Sequence, residues 1–212
     1  MSAEECIKNV LEMSQLAIEW NLMTGTNGNM SVKEWDTGII YITPAKVDYR
    51  QLTSNDIVLI YPDGRTEGIH NPSSEWKLHK TIYQHMPNIS AIAHTHSPYA
   101  SAFAALNMSI PAVLTETVLS LGGRINVAQF ALPGSEEIGV GAVACLKERN
   151  VCLLAQHGVV AVGKNAFDTI ETALNVEVAA KTTHLAMQIA QPTAIPQAAQ
   201  KHLQERFMEN NQ

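Results

Sequence analysis

The stretch from Thr81 to Thr115 contains no Lys, Arg, Asp or Glu, although 16% of the whole chain is charged. The same stretch holds three histidines and three prolines: His85, His94, His96, Pro87, Pro98 and Pro111. A membrane helix, which needs about 20 consecutive apolar residues, would not tolerate prolines and histidines at these positions. We therefore expect this stretch to belong to a protein core that carries a polar site.

The size and charge of the chain narrow the class of protein. Its 212 residues predict a single domain over residues 1–212 with a sizeable core. The formal net charge of −6 argues against a nucleic-acid or anionic-membrane binder, because such partners require a positive surface. The charged share lies below the globular average of about 25%, so we expect a ligand, a partner subunit or both to cover part of the surface.

Cysteine usage and the N-terminus predict a cytoplasmic protein. Cys6, Cys145 and Cys152 are odd in number and form no C-x-x-C pair, so neither a disulfide framework nor a cysteine zinc site fits. The chain opens with Ser2 and two glutamates where an export signal would be basic, and this pattern is typical of a helix capping box.

Periodicity and turn residues predict alternating strands and helices. The expected strands are Met30–Lys33, Gly38–Thr43, Ile57–Tyr61, a strand after Gly64, Ile89–His94, Val151–Ala155 and Val159–Val162, with weaker candidates at Val113–Thr115 and Arg124–Val127. The expected helices are one ending near Trp20, one from Ser73 to Pro87, Ser97–Leu106, one from Gly134 to about Glu148, Asn165–Ala190 and about Gln197–Glu209. Hairpin-like strand pairs outnumber β-α-β units. We therefore predict an α/β fold with a mixed, mainly antiparallel sheet and helices on both faces.

Two histidines separated by one residue are the first candidate metal ligands. His94 and His96 follow an apolar strand, and alternate strand residues point to the same face. Such a pair alone is weak evidence, because it also occurs at surfaces and in hydrogen-bonded cores. His157, in a turn before Gly158, supplies a third imidazole. Glu75, expected just inside a helix start, supplies a carboxylate, although an ordinary N-terminal helix glutamate would look the same.

A second group of residues is suited to binding phosphate. Ser73 and Ser74 precede a helix, where hydroxyls and free backbone N–H groups can hold an anion, although serines at such places are commonly plain caps. Gly28 and Asn29 end a Gly/Asn-rich loop that could form the opposite wall of a phosphate site. The remaining histidines are assigned to helix faces or loops: His70, His79, His85, His184 and His202.

Five motifs in this order resemble the class II (zinc) aldolase and adducin family, most closely its L-fuculose-1-phosphate aldolase branch. The resemblance covers nearly the whole chain. Its motifs are Gly25-Thr26-Asn27-Gly28-Asn29-Met30-Ser31-Val32, Ile42-Thr43-Pro44, Pro72-Ser73-Ser74-Glu75-Trp76, His94-Thr95-His96 and Gln156-His157-Gly158.

The resemblance implies a three-layer α/β/α class II aldolase-like fold and a zinc-dependent lyase. Such an enzyme splits a ketose phosphate reversibly into dihydroxyacetone phosphate and a short aldehyde through a zinc-stabilised enediolate. His94, His96 and His157 would bind one zinc ion per subunit, and Glu75 would be both a ligand and an acid/base. The substrate phosphate would lie against Gly28, Asn29, Ser73 and Ser74, and Thr43 is also expected to contact the substrate. The resemblance also implies a cytoplasmic homotetramer with the active site near a subunit boundary.

The chain departs from the family pattern at two places. Ala45 and Lys46 follow Thr43-Pro44 where the fuculose aldolases have threonine and glycine, so Lys46 could hold the phosphate by charge or could be a solvated lysine. The family's catalytic tyrosine corresponds to Thr115, and the tail after Pro192 contains no tyrosine. Glu116 is the candidate replacement acid.

Several other activities fit the same residues. On the same fold, the chain could be a ribulose-5-phosphate 4-epimerase, a sugar-phosphate dehydratase or a decarboxylase. A non-catalytic assembly module of the adducin kind would not need intact metal ligands. A hydrolase with three zinc-bound histidines offers no role for the serine pair or the Gly-Asn loop.

Overall fold

The structure is a computed structural model that describes residues 1–147 and 149–211. One eight-stranded sheet with the strand order β4-β3-β2-β1-β5-β8-β7-β6 runs through the fold. Its strands are β1 (Asn29–Lys33), β2 (Ile40–Ile42), β3 (Val58–Ile60), β4 (Thr66–Glu67), β5 (Ala91–Thr95), β6 (Val127–Ala128), β7 (Val151–Leu154) and β8 (Gly158–Gly163). Only β6 and β7 pair in parallel, and every other neighbouring pair is antiparallel. The predicted mixed, mainly antiparallel sheet is confirmed.

The described part of the chain contains seven α-helices. They are α1 (Ala3–Glu19), α2 (Trp76–His85), α3 (Pro98–Ala105), α4 (Thr115–Leu121), α5 (Glu137–Leu146), α6 (Ala166–Ile189) and α7 (Gln197–Asn211). Two short 3-10 helices, Tyr49–Gln51 and Ser54–Asp56, lie between β2 and β3. The capping box predicted at Ser2 is present, with the Glu5 carboxylate accepting from the Ser2 backbone N–H.

Apolar side chains alternate along the strands and form a core on each side of the sheet. In β5, Ala91 and Ala93 pack in the core beneath α1, α3 and α6, whereas Ile92 packs in the core beneath α2 and α5. The central strands are apolar on both faces because both faces are covered by helices. The arrangement is the three-layer α/β/α architecture that the sequence predicts.

Strand register brings distant parts of the chain together at one end of β5. This strand lies between β1 and β8, and its residue His94 pairs with Asn29 on one side and with Val160 on the other. The Gly/Asn-rich loop before β1 and the turn before β8 therefore lie on either side of the His94-Thr95-His96 segment.

Three local predictions differ from the structure. Val113–Thr115 is not a strand, because α4 begins at Thr115, and most of Arg124–Val127 forms only an isolated bridge from Ile125 to Ile110 before β6. The helix predicted from Ser73 begins at Trp76, so Glu75 is its N-cap residue and is not inside the helix. The predicted end at Glu148 of the helix that corresponds to α5 lies outside the described residues.

Among the residues that the structure describes, none of the helices has both the length and the apolar character needed to span a bilayer.

Candidate metal centre

Four side chains from three separate segments converge on one point. His94 lies near the end of β5 and His96 just beyond it, His157 lies in the turn between β7 and β8, and Glu75 immediately precedes α2. One ligand atom from each of these residues lies within 4.8 Å of all the others. The structure thus brings together the complete set of metal ligands that the sequence predicts.

The contacts within this cluster are short. His94 Nε2 lies 3.0 Å from His96 Nε2 and 3.0 Å from Glu75 Oε2, and His157 Nε2 lies 3.3 Å from Glu75 Oε1. The three imidazole rings meet edge to face, with centroids 4.8 to 5.1 Å apart. All four groups therefore present their polar atoms to one small volume.

Gly158 allows the strands to approach this closely. A Cβ atom at this position would lie 2.5 Å from the Thr95 carbonyl oxygen and 3.3 Å from ring atoms of both His94 and His96. Gln156, two residues earlier, has a left-handed φ of 55°, which turns the chain so that the intervening His157 faces the cluster. The local sequence Gln156-His157-Gly158 is therefore a structural requirement of the site as well as a chemical one.

The donor set fits a divalent metal ion. His94 Nδ1 is 2.8 Å from the Val159 carbonyl oxygen, which can only accept, so Nδ1 carries a hydrogen and Nε2 is the ring nitrogen that faces the cluster. In metal sites, the ring nitrogen of histidine that does not bind the metal commonly donates a hydrogen bond of this kind, which orients the ring. Glu75 Oε1 is buried without a hydrogen-bond partner. Three imidazoles and one carboxylate are a donor set that suits zinc and related ions.

Burial and contacts with neighbouring groups together set the protonation states of the cluster. Burial, aided by the neighbouring His94 and His157, lowers the pKa of His96 to about 4. Burial and His94 also lower the pKa of His157. Burial alone would raise the pKa of Glu75, but His94, His157 and the hydrogen bond from Asn29 hold it below its ordinary value. At neutral pH, His96 and His157 are therefore neutral donors and Glu75 is a carboxylate.

A cavity of about 240 Å³ opens beside the cluster. Its walls come from the Gly/Asn-rich loop, the segment after β2, the segment before α2 and His96: Thr26, Asn27, Gly28, Asn29, Pro44, Ala45, Lys46, Tyr49, Ser73, Ser74, Glu75 and His96. Gly28 has a φ of +84°, and a Cβ atom there would lie 2.6 Å from both the His94 carbonyl oxygen and Met23 Sδ. Only glycine fits at this position of the wall.

Most of the predicted phosphate-binding residues line this cavity. Ser73 is buried, and its hydroxyl accepts a weak hydrogen bond from the Glu75 backbone N–H at 3.4 Å, whereas Ser74 is exposed. Lys46 is exposed at the rim in a left-handed conformation, with a φ of 62°. Thr43 lies behind the wall, where its hydroxyl accepts from the Met30 backbone N–H at 3.2 Å.

Glu116 is the one predicted site residue that a single chain places elsewhere. It is exposed in the first turn of α4, hydrogen-bonds to Thr115 Oγ1 at 3.0 Å and lines a separate small cavity between α4 and α6. Within one chain it does not meet the four clustered ligands.

Sequence reasoning missed three residues that support the site. Tyr49 lines the cavity, and its hydroxyl donates to the Gly28 carbonyl oxygen at 2.7 Å, which ties the Gly/Asn-rich loop to the segment after β2. His79 and Tyr83 on α2 are buried beside Asn29 and Ser31. The four-residue spacing from Glu75 to His79 to Tyr83 was the available signal, because such spacing places side chains on one helix face.

Comparisons with known proteins define the class. The family model described as Class II Aldolase and Adducin N-terminal domain matches residues 8–184. The chain therefore belongs to the class II aldolase and adducin family.

Individual members of that family are similar to the chain over most of its length. The chain is 36% identical over 186 residues to a 5-methylthioribulose-1-phosphate/5-deoxyribulose-1-phosphate aldolase of Rhodospirillum rubrum, covering 88% of this chain and 83% of that protein. It is 34% identical over 193 residues to the L-fuculose phosphate aldolase of Escherichia coli K12, covering 91% and 87%. A solved L-fuculose 1-phosphate aldolase superposes with a TM-score of 0.92 at 31% identity and 98% coverage of both chains.

Proposed function

We propose that this protein is a metal-dependent aldolase that cleaves a ketose 1-phosphate reversibly into dihydroxyacetone phosphate and a short aldehyde. The observation that carries this proposal is that the ligand cluster and the cavity share a residue. Glu75 belongs to the ligand cluster and also lines the cavity next to Ser73, Ser74, Gly28 and Asn29. A phosphorylated substrate held in that cavity would have its reacting carbons beside the cluster.

The ligand cluster is suited to zinc, and we propose one zinc ion per chain, held by Glu75, His94, His96 and His157. A divalent ion there would supply positive charge beside the substrate oxygens, which stabilises the negative charge that develops as a carbon–carbon bond breaks. Glu75 is the only carboxylate of the cluster, and it also lines the cavity beside the cluster. It is therefore the base that takes the proton from the carbon next to the carbonyl, a role typically worth about 10² to 10⁴ in rate.

The phosphate end of the substrate is assigned to the far part of the cavity. Ser73 and Ser74 precede α2, where free N–H groups and the helix dipole favour an anion. The Gly28–Asn29 backbone forms the opposite wall, and Lys46 at the rim adds a positive charge. Thr43 supports this wall from behind through its bond to Met30. Binding at a group remote from the reacting bond provides orientation that a small sugar fragment lacks.

We also propose that the enzyme works in the cytoplasm as a homotetramer. All three cysteines are free. Large apolar side chains are exposed on several elements, as a subunit interface would require: Phe130 (58%), Leu132 (70%), Val140 (58%) and Ile189 (89%). In this assembly Glu116 serves as the acid on the aldehyde side only if the neighbouring subunit brings it to the cavity.

Replacing Glu75 with glutamine tests the role of the base directly. The Glu75→Gln variant is expected to lose exchange of the dihydroxyacetone phosphate proton with solvent by 100-fold or more while metal is still bound. NMR in D₂O measures the exchange, and elemental analysis measures the metal. The exposed Glu19→Gln substitution on α1 is the matched control and is expected to leave both unchanged. Full exchange in Glu75→Gln would remove the proposed base.

A substrate panel distinguishes an aldolase from the other activities of this fold. Five- and six-carbon ketose 1-phosphates, ribulose 5-phosphate and tetronate phosphates are incubated with and without chelator, and the products are identified. Metal-dependent release of dihydroxyacetone phosphate supports the proposal. Epimerisation, dehydration or decarboxylation without cleavage would contradict it, and purified protein with less than one tightly bound divalent ion per chain would favour a non-catalytic module.

A further inference from the structure

Five polar side chains form a buried row between α2 and β1, which we call the polar seam. It consists of Glu75, His79 and Tyr83 at the start and along α2, and of Asn29 and Ser31 on β1. None of the five is more than 7% exposed. Buried polar groups are costly unless they bond to one another, so a row of this kind needs a physical explanation.

The two elements match each other in spacing. Residues four apart on a helix are separated by about 6 Å along its axis, and residues two apart on a strand by about 6.6 Å. Glu75, His79 and Tyr83 can therefore interleave with Asn29 and Ser31. Each step of the seam is a hydrogen bond: Glu75 with Asn29, Asn29 with His79, His79 with Ser31 and Ser31 with Tyr83.

Hydrogen positions along the seam follow from what each atom can do. The Glu75 carboxylate can only accept, so Asn29 turns its Nδ2 toward Glu75 and its Oδ1 toward His79. Asn29 Oδ1 lies 2.5 Å from His79 Nε2 and can only accept, so His79 Nε2 carries the hydrogen. His79 Nδ1, 2.6 Å from Ser31 Oγ, is then the acceptor for the serine hydroxyl. Burial lowers the pKa of His79 to about 3 and thus keeps the ring neutral. The ring therefore holds a single tautomer.

This tautomer holds the Asn29 carboxamide in the orientation that Glu75 requires. Asn29 Nδ2 donates to Glu75 Oε2 at 3.1 Å. A flipped amide would place its oxygen against the Glu75 carboxylate and its NH₂ group against the His79 N–H, and both contacts would be repulsive. The Glu75 side chain is consequently held with Oε2 toward His94 and Oε1 toward His157.

We propose that His79 is a positioning residue of the metal centre, which acts by locking the Asn29 carboxamide so that Glu75 stays in its ligand geometry. The inference rests on the proposed metal site, but it assigns a function to a residue outside the ligand set. Supporting groups behind a metal ligand typically change metal affinity by 10- to 100-fold when they are removed. The same magnitude is expected here.

Cobalt binding without any sugar phosphate tests this inference. The wild-type protein and its His79→Leu and His79→Gln variants are titrated with Co²⁺, whose visible absorption reports ligand geometry as well as affinity. His79→Leu removes the donor and is expected to weaken binding 10- to 100-fold and to change the spectrum. Glutamine can place its amide N–H near the position of Nε2, so His79→Gln is expected to remain within about threefold of wild type. His85→Leu, an exposed change on the same helix, is the matched control.

A double-mutant cycle separates positioning from a general packing role. If His79 acts through Glu75, then adding His79→Leu to a Glu75→Ala background is expected to change Co²⁺ affinity by less than threefold. If His79→Leu lowered Co²⁺ affinity in the Glu75→Ala background by as much as in the wild type, the inference would be overturned. Wild-type affinity in the His79→Leu single variant would also overturn it. Wild-type protein that binds no Co²⁺ would overturn the metal centre and this inference together.

The tautomer provides a test that needs no variant and no metal. Between pH 6 and 8, nitrogen-15 NMR of the wild-type imidazoles is expected to show that His79 carries a proton on Nε2 and none on Nδ1. Protonation on Nδ1 would reverse the direction of the seam and overturn the inference.

Discussion

At the scale of single residues, the candidate metal centre depends on the absence of a side chain at Gly158. Gly158 has no side chain, and the space that a Cβ atom would occupy is filled by the Thr95 carbonyl oxygen and the edges of the His94 and His96 rings. The contact distance of 2.5 Å to a backbone oxygen is too short for any side-chain carbon. Backbone on β5 would have to move to admit a methyl group, and two of the four ligands would move with it.

The Gly158→Ala substitution is expected to lower the free energy of unfolding by about 1–3 kcal/mol and to weaken metal binding, because overpacking forces backbone shifts. Chemical denaturation and Co²⁺ titration measure the two effects. Gly141→Ala on α5 is the control, since the nearest atoms to its Cβ would be 3.8 Å away and alanine favours a helix by about 0.4–1 kcal/mol. Equal stability of the two variants would contradict the close-packing explanation.

The residue scale also separates what sequence could predict from what it could not. The convergence of His94, His96, His157 and Glu75 was predictable, because motif order and residue type together indicate a shared site. His79 was assigned to an ordinary helix face, because nothing in its own sequence neighbourhood shows which strand lies opposite. The role of His79 depends on the register between α2 and β1, which is a property of the folded chain.

At the scale of elements, α6 supports the helix that follows the His94-Thr95-His96 segment. Helix α3 begins at Pro98, and Ser97 at its N-cap position makes no side-chain cap. The Glu177 carboxylate of α6 instead accepts from the backbone N–H groups of Tyr99 at 3.0 Å and Ala100 at 2.9 Å. A charged acceptor from another helix thus satisfies two amides that no local residue caps.

Removing this carboxylate is expected to cost about as much as losing a helix cap. We expect Glu177→Ala to lower the free energy of unfolding by about 1–2 kcal/mol, measured by chemical denaturation. Glu171→Ala, an exposed change on the same helix, is expected to alter it by less than 0.5 kcal/mol. Amide hydrogen exchange at Tyr99 and Ala100 is expected to be faster in Glu177→Ala and unchanged in Glu171→Ala. Unchanged exchange in Glu177→Ala would exclude the capping role.

Element prediction failed where local signals were weak. The run Val113-Leu114 looks like a strand start, yet α4 begins at Thr115 and spans only seven residues, too few to establish a helical period. Its N-cap residue Leu114 makes no side-chain cap, so no start signal precedes it. By contrast, Asn165 caps the start of α6 through its bond to the Asp168 N–H, and this long helix was predicted correctly.

At the scale of the whole molecule, the candidate site joins parts of the chain that are distant in sequence. In the sheet, β5 pairs with β1 and with β8, and neither of these strands is next to β5 along the chain. Sequence patterns identified the strands but could not specify these pairings, because they depend on long-range contacts. An ion held by Glu75, His94, His96 and His157 would link three chain segments and add to the stability that these pairings provide.

Because the four ligands converge only in the folded chain, a bound metal ion is expected to raise the thermal stability of the whole protein. At a free metal concentration of about 100 times Kd, the added stability is about 2.7 kcal/mol. For a chain of this size that corresponds to a rise in Tm of roughly 5–10 °C. Scanning calorimetry of chelator-treated protein, before and after addition of Zn²⁺, Co²⁺ or Mn²⁺, measures the shift and ranks the ions. The His157→Ala variant removes one ligand from the turn before β8, so its Tm is expected to respond much less. An equal rise in both proteins would mean that the metal acts at another place.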